Sequence, residues 1–224
     1  MTFTPLETVN LGERVIQEIR SAVITGKLAP GETIRDAHLA DELGVSRTPV
    51  REALHRLQGD GLIEPRGRSG WVVSAFTEQD VRELFQLRML LEPVGLEELE
   101  RDPRPERLTQ LTRYFSDYDH PIAHDRHVEY FAHDDDFHRQ IVACSGSRRV
   151  HNIYDVLNVH INRGRFILSG SSAERVEETL DEHRAITDAI ADKDFAQARK
   201  ALLRHLKTGE ELMIVELQKR NQQA

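Results

Sequence analysis

A mainly α-helical chain in two unequal parts is what the 224 residues predict, and three observations carry that prediction. Apolar residues recur at helical spacing from Leu11 to Ile24 and again from Val81 to the C-terminal end. Two short β-prone runs, Leu62-Ile63-Glu64 and Trp71-Val72-Val73-Ser74, stand alone between them. Beyond Thr77 no stretch alternates as a strand would. Residues 1–75 therefore read as a small mixed domain, and residues 76–224 as a separate all-α antiparallel bundle of six helices.

Composition narrows the function. The chain carries 30 basic and 38 acidic side chains with 39% apolar residues, a globular balance. No apolar run approaches the ~20 residues that span a bilayer, so membrane partners are not expected. The first residues show neither a basic nor an apolar leader segment, and the single cysteine, Cys144, excludes an internal disulfide framework. A cytoplasmic address is the expectation.

In the N-terminal part, Leu11, Val15, Ile16, Ile19, Val23 and Ile24 mark a first helix that Gly26 and Pro30-Gly31 end. A second spans about Asp36 to Leu43 and stops at Gly44. A third opens at Ser46-Arg47-Thr48-Pro49, where proline is tolerated because a first-turn N–H is unpaired anyway, and runs to about Gly59. The two β-prone runs follow, joined by the basic turn Pro65-Arg66-Gly67-Arg68-Ser69-Gly70. Three helices and a basic hairpin outline a winged helix-turn-helix. Although the protein is acidic overall, residues 1–75 hold 9 basic against 10 acidic side chains, and their arginines gather late. The third helix fits a major groove with Arg47, Thr48 and Arg51 outward, and Ser46 with the helix N-terminus suits a phosphate. Arg66 and Arg68, on glycine-flexible backbone between Gly67 and Gly70, suit the minor groove or flanking phosphates.

The stretch Gly44-Val-Ser-Arg-Thr-Pro-Val-Arg-Glu-Ala-Leu-His-Arg-Leu, with Gly61-Leu-Ile-Glu and the upstream Leu28-Ala-Pro-Gly-Glu-Thr-Ile, resembles the signature of the GntR family of bacterial transcription regulators. The resemblance implies double-stranded DNA with a palindromic operator as partner, Arg47, Thr48 and Arg51 at bases or nearby phosphates, and Gly67 to Gly70 at the wing tip. Some relatives carry a DNA-contacting arginine early in the second helix. This chain has Ala37 there, with Arg35 two residues earlier as the candidate substitute.

Bundle helices read as 78–101, 104–118, 126–144, 148–168, 173–192 and 194–220, separated at Asp102-Pro103, His120-Pro121, Ser145-Gly146 and Ser169-Gly170. Four polar residues fall on stripes whose other members are apolar. Asp134 and His138 lie between Phe131 and Ile141, His183 between Leu180 and Ile190, and His205 between Leu202 and Leu212. A buried carboxylate without a partner costs several kcal/mol, so these groups need one another or a shared ion. Asp134 and His138 are spaced i, i+4 on one helical face, and imidazoles from two further helices complete an N/O donor set that suits Zn²⁺ foremost, or Ni²⁺, Mn²⁺ or Fe²⁺. A buried Asp–His hydrogen-bond network is the alternative.

Arg88-x-x-Leu91-Glu92, Asp134-Asp-Asp-Phe-His138, Glu182-His183-x-x-Ile186 and His205-Leu206 together resemble the FCD ligand-binding domain of the FadR-like branch, in its six-helix VanR-like form. By that resemblance Asp134, His138, His183 and His205 are metal ligands, a small organic acid is the effector, and the protein is a homodimeric regulator, repressor more often than activator. Arg88 is the charge partner for the acid or, at i+4, a salt-bridge partner for Glu92. His120, His124, His127 and His133 read as solvated, and Cys144 as core.

An enzyme is not expected. There is no His-Glu-x-x-His, and the one Glu-x-x-His, Glu52 to His55, lies in the DNA-reading helix. A metal-dependent hydrolase, or a structural or metal-sensing bundle with no organic effector, are the competing readings.

Overall fold

The computed structural model describes residues 11–67, 70–168 and 173–223. The chain divides into two compact units, Met1–Phe76 and Thr77–Ala224.

In the first unit α1 (Leu11–Ile24), α2 (Asp36–Leu43) and α3 (Arg47–Gly59) pack around Ile19, Val50, Leu54 and Leu57, all nearly inaccessible. Gly44, in the left-handed region at φ 64°, closes α2 by sending its N–H back to the helix carbonyls, a conformation only glycine adopts cheaply. A three-stranded antiparallel sheet follows in the order β1-β3-β2, with β1 Thr33–Ile34, β2 Ile63–Arg66 and β3 Gly70–Val73. Two of those strands match the β-prone runs. β1 escapes the sequence pattern because two residues are too few to show alternation, and it forms because Val72 and Trp71 present a free edge to it.

The second unit contains six α-helices among its described residues: α4 (Glu78–Arg101), α5 (Pro105–Thr112), α6 (His127–Ala143), α7 (Arg148–Leu168), α8 (Ala173–Ala191) and α9 (Phe195–Gln223). Thr77 starts α4 with a capping box, its hydroxyl accepting from Asp80 N–H while Asp80 accepts from the Thr77 N–H.

The helix expected over 104–118 is shorter: it ends at Thr112. Hydroxyls of Thr109, Thr112 and Ser116 donate to backbone carbonyls three or four residues back, competing with the helical ladder. The chain continues in successive three-residue turns that sink Phe115 and Tyr118 into the core. A single 3-10 turn, His124–Arg126, then leads into α6.

Two glycines set how closely helices approach. A Cβ built on Gly95 of α4 falls 2.7 Å from the Ile141 carbonyl carbon of α6, so only glycine permits this crossing. Gly209 of α9 similarly lies against Phe85, whose ring edge is 3.1 Å from a built Cβ. Among the described residues no helix is long and apolar enough to cross a membrane.

Candidate functional site

α6 places Asp134 and His138 one turn apart on its inner face, α8 contributes His183 and α9 contributes His205. The four side chains are buried, and one donor atom from each lies within 4.8 Å of all the others. His138 Nε2 is 3.2 Å from His205 Nε2 and 3.3 Å from His183 Nε2. Asp134 Oδ1 is 3.0 Å from His183 Nε2 and 3.2 Å from His138 Nε2. The structure thus brings together all four residues predicted for the centre.

What lies behind the four residues fixes which way they face. His138 Nδ1–H donates to Glu92 Oε2 at 2.6 Å, and His205 Nδ1–H donates to Glu182 Oε2 at 2.7 Å. His183 Nδ1 is 2.9 Å from the Tyr130 hydroxyl, and its ring stacks on Phe115 at 4.6 Å between centroids. Arg165 holds Asp134 Oδ2 at 3.1 Å, leaving Oδ1 buried with no hydrogen bond. Each outer atom is therefore taken and each inner atom faces the centre, the arrangement by which supporting residues orient metal ligands.

The supports are themselves anchored. Glu92, fully buried on α4, accepts from Arg88 Nε at 2.7 Å and from the Tyr154 hydroxyl at 2.8 Å. Burial pushes its carboxyl upward, but Arg88 and His138 outweigh that and hold it at about 2. Glu182 behaves likewise: burial raises it, while His205 and Arg175 bring it to about 2. Burial keeps His183 down at about 3 and lowers His205, so both rings are neutral. Burial also pulls His138 down, but the Glu92 carboxylate reverses the net direction to upward.

The neutral His205 and His183 rings each turn Nε2 toward His138 Nε2, at 3.2 and 3.3 Å, a spacing that either a proton on His138 or a cation shared by the three nitrogens accommodates. Metal–ligand bonds of about 2.0–2.1 Å put neighbouring donors about 3.0 Å apart at right angles and about 3.4 Å apart in a tetrahedron. The closest spacings, of 3.0–3.3 Å, fit, and the Asp134 oxygen supplies the negative charge.

Beside this cluster lies a cavity of about 490 Å³ whose wall includes Asp134, His205, Arg88, Arg165 and the apolar side chains of Leu84, Phe85, Phe131 and Ile161. Arg88 forms the expected i, i+4 ion pair with Glu92, yet its Nη2 stays buried without a partner.

In the first unit Ser46, Arg47, Thr48 and Arg51 are exposed at the start of α3, and Arg35 is exposed at the start of α2. Arg47 Nη2 is bound by both oxygens of Asp36, at 2.9 and 3.0 Å, and Arg51 Nε is 3.7 Å away. The Arg47 hydrogen bond leads in holding the Asp36 carboxyl below its ordinary value, against a smaller upward push from burial. Arg66, at the end of β2, donates to the Thr33 hydroxyl at 3.1 Å. Gly67 turns at φ 66°, and a Cβ on Gly70 would sit 3.1 Å from the Arg66 carbonyl oxygen. Arg68, the remaining wing residue expected at DNA, lies outside the described residues.

Residues 11–73 match the bacterial regulatory proteins of the gntR family and residues 83–208 match the FCD domain. The chain belongs to the GntR family. It is 30% identical over 84% of its length to the HTH-type transcriptional regulator YdhC of Bacillus subtilis, covering 84% of that protein. It is also 30% identical to the gluconate operon transcriptional repressor of Bacillus licheniformis, over 88% of this chain and 82% of that one. The fold matches E. coli McbR/YncC with a TM-score of 0.74 at 19% identity, covering 94% of this chain and all of that one (100%). A regulator of transcription that binds DNA is therefore what this GntR-family chain is, and its relatives and domains are not those of an enzyme.

Several residues of the site carry no signal in the sequence pattern. Tyr130, Tyr154 and Arg165 meet the centre only because α4, α6, α7 and α8 converge, and Asp36 shows itself only once α2 and α3 are packed. Glu182 is legible as the neighbour of His183, though not as the support for His205. The solvated reading of the histidine cluster needs correction. His133 is partly buried against the Tyr118 hydroxyl at 2.8 Å, and His127 reaches the Ile122 carbonyl. His120 is exposed, as expected, and lies between Glu177 and Asp181, while the His124 side chain is outside the described set. Cys144 is core, as expected.

Proposed function

We propose that this GntR-family regulator binds a divalent transition metal, Zn²⁺ foremost, through Asp134, His138, His183 and His205, and that a small organic acid entering the adjacent cavity tunes operator affinity. The observation that carries the reading is the convergence of three Nε2 atoms and an orphaned Asp134 oxygen, each with its outer atom already taken. A bound ion supplies a Lewis-acidic anchor for an anionic oxygen. The protein's own contribution is Arg88, whose unpartnered Nη2 adds a donor for a carboxylate at the cavity wall.

At the other end of the chain, Arg47, Thr48 and Arg51 read a major groove, with Ser46 and Arg35 at phosphates and the Arg66–Gly70 wing at the flank. Two copies on a palindromic operator, acting as a repressor, complete the proposal. The relatives named as gluconate operon repressors support the direction of control. Coupling between effector and DNA is typically 1–3 kcal/mol, enough for a 5–150-fold change in operator affinity.

The test measures metal content by mass spectrometry and operator affinity by fluorescence anisotropy, on the same preparations. His183→Ala is expected to lose the metal while circular dichroism stays helical. Stoichiometric metal retained in His183→Ala, or operator affinity indifferent to every acid tried, would refute the respective half of the proposal. A purely structural or metal-sensing bundle predicts that chelation alone moves DNA affinity.

A further inference from the structure

The cavity beside the four-residue cluster has an uneven chemistry. Four cationic side chains line it, and each already pairs with a carboxylate of this chain, Arg88 through Nε with Glu92. Arg165 is held by Asp134 at 3.1 Å and Asp135 at 2.9 Å. Arg175 makes two 3.0 Å bonds to Glu182 and one to Glu178. Lys219 donates to its helical neighbour Glu216 at 2.6 Å. Arg88 alone among these four keeps a buried nitrogen, Nη2, without a partner, and Arg88 is only 4% exposed. The Thr179 hydroxyl donates to the Arg175 carbonyl. Much of the remaining lining is hydrocarbon, Leu84, Phe85, Phe131, Ile161, Val176 and Met213, with the Phe85 ring 5.2 Å from the Arg88 guanidinium.

We infer that the effector is an amphipathic monocarboxylate, with a single anionic head at the Arg88 end and a hydrocarbon tail against that apolar wall. The inference rests on the effector reading above and specifies its ligand class. A second carboxylate would be stripped of water against apolar side chains or set beside Glu178 and Glu216, where the nearby cations already pair with carboxylates of this chain. A polyhydroxylated sugar acid meets a related difficulty, because each buried hydroxyl needs a partner and the six apolar lining side chains offer none. A hydrocarbon tail needs none, and the volume of about 490 Å³ lies in the range of small-molecule sites.

The experiment is titration calorimetry on the full-length, metal-loaded protein with acetate, butanoate, hexanoate, 3-phenylpropanoate, succinate, gluconate and hexanol. Affinity is expected to rise about fourfold per added methylene from acetate to hexanoate, the increment of burying one CH₂. Hexanol, which lacks the head, and gluconate, which lacks the tail, are expected to bind at least tenfold more weakly than hexanoate. Val176→Thr, nearly isosteric, is expected to weaken hexanoate severalfold and leave acetate unchanged. A flat series from acetate to hexanoate, or equal loss of both acids in Val176→Thr, overturns the inference. Gluconate or succinate binding as tightly as hexanoate overturns it too, while leaving an acid effector in place. Binding by none of the acids removes both the inference and the effector reading beneath it.

Discussion

Replacing Gly95 with alanine puts helix propensity and packing in direct opposition. Alanine in a helix interior is favoured over glycine by roughly 0.5–1 kcal/mol, so propensity alone predicts a more stable protein. The structure predicts the reverse. A Cβ at Gly95 would overlap the Ile141 carbonyl oxygen and stand 2.7 Å from its carbon, whereas carbon atoms rest at about 3.5–4.0 Å, so α4 and α6 must separate by more than about 1 Å. The obstacle is backbone and cannot rotate away. Overpacking of this kind costs about 1–3 kcal/mol. Glu92 lies one turn before Gly95, and His138 lies one turn before Ile141, so the separation also stretches their 2.6 Å hydrogen bond beyond bonding distance. Losing a hydrogen bond to a charged group adds about 1.5–3 kcal/mol. Taking about 3 kcal/mol as the sum, and about 2–4 °C per kcal/mol for a unit of this size, the melting temperature falls by about 6–12 °C. Thermal denaturation followed by circular dichroism, with metal content measured on the same samples, provides the assay. A melting temperature unchanged or raised would refute both the close crossing and the propagation of strain to the centre.

Other expectations are narrower. Arg47→Ala and Arg51→Ala should each cost about 1–3 kcal/mol of operator binding at fixed salt, read by anisotropy, and unchanged affinity in both would remove them from the interface. Asp36→Asn frees Arg47 from its internal carboxylate, so affinity for unrelated DNA should rise while the ratio of operator to unrelated binding falls; a constant ratio would deny Asp36 a positioning role. Glu92 sits at about 2 in the folded chain against an ordinary 4.5, so its stabilising contribution is complete above about pH 4.5 and fades as pH drops toward 2. Wild type and Glu92→Gln, both stripped of metal by chelator, should thus differ most in stability near pH 5 and converge toward pH 2; a gap independent of pH would contradict the depressed carboxyl.

The centre was legible because polar residues at core phase are conspicuous: Asp134, His138, His183 and His205 interrupt apolar stripes, and periodicity alone assigns them inward. Helix boundaries were legible where proline, glycine or a capping box punctuates the chain, as at Thr77 and Gly44. They were not where hydroxyl side chains unravel a helix from within, as between Thr109 and Ser116. The supporting layer was illegible for a different reason. Whether Tyr130 or Arg165 reaches the site depends on the rotation of whole helices against one another, which no local pattern encodes. Arg88 shows the intermediate case: its i, i+4 pairing with Glu92 is a local inference, but the nitrogen left over is visible only in the packed cavity.

The donors and their supports are distributed along the chain in a way that matters during synthesis. Glu92 is made early and His205 late, and His138 touches both. A chain that stops short of α9 lacks His205, so the full donor set exists only once α9 has docked. On the metal-binding proposal, an ion would add stability only to the completed bundle, and chelation would leave α9 more open to a protease than in the loaded protein.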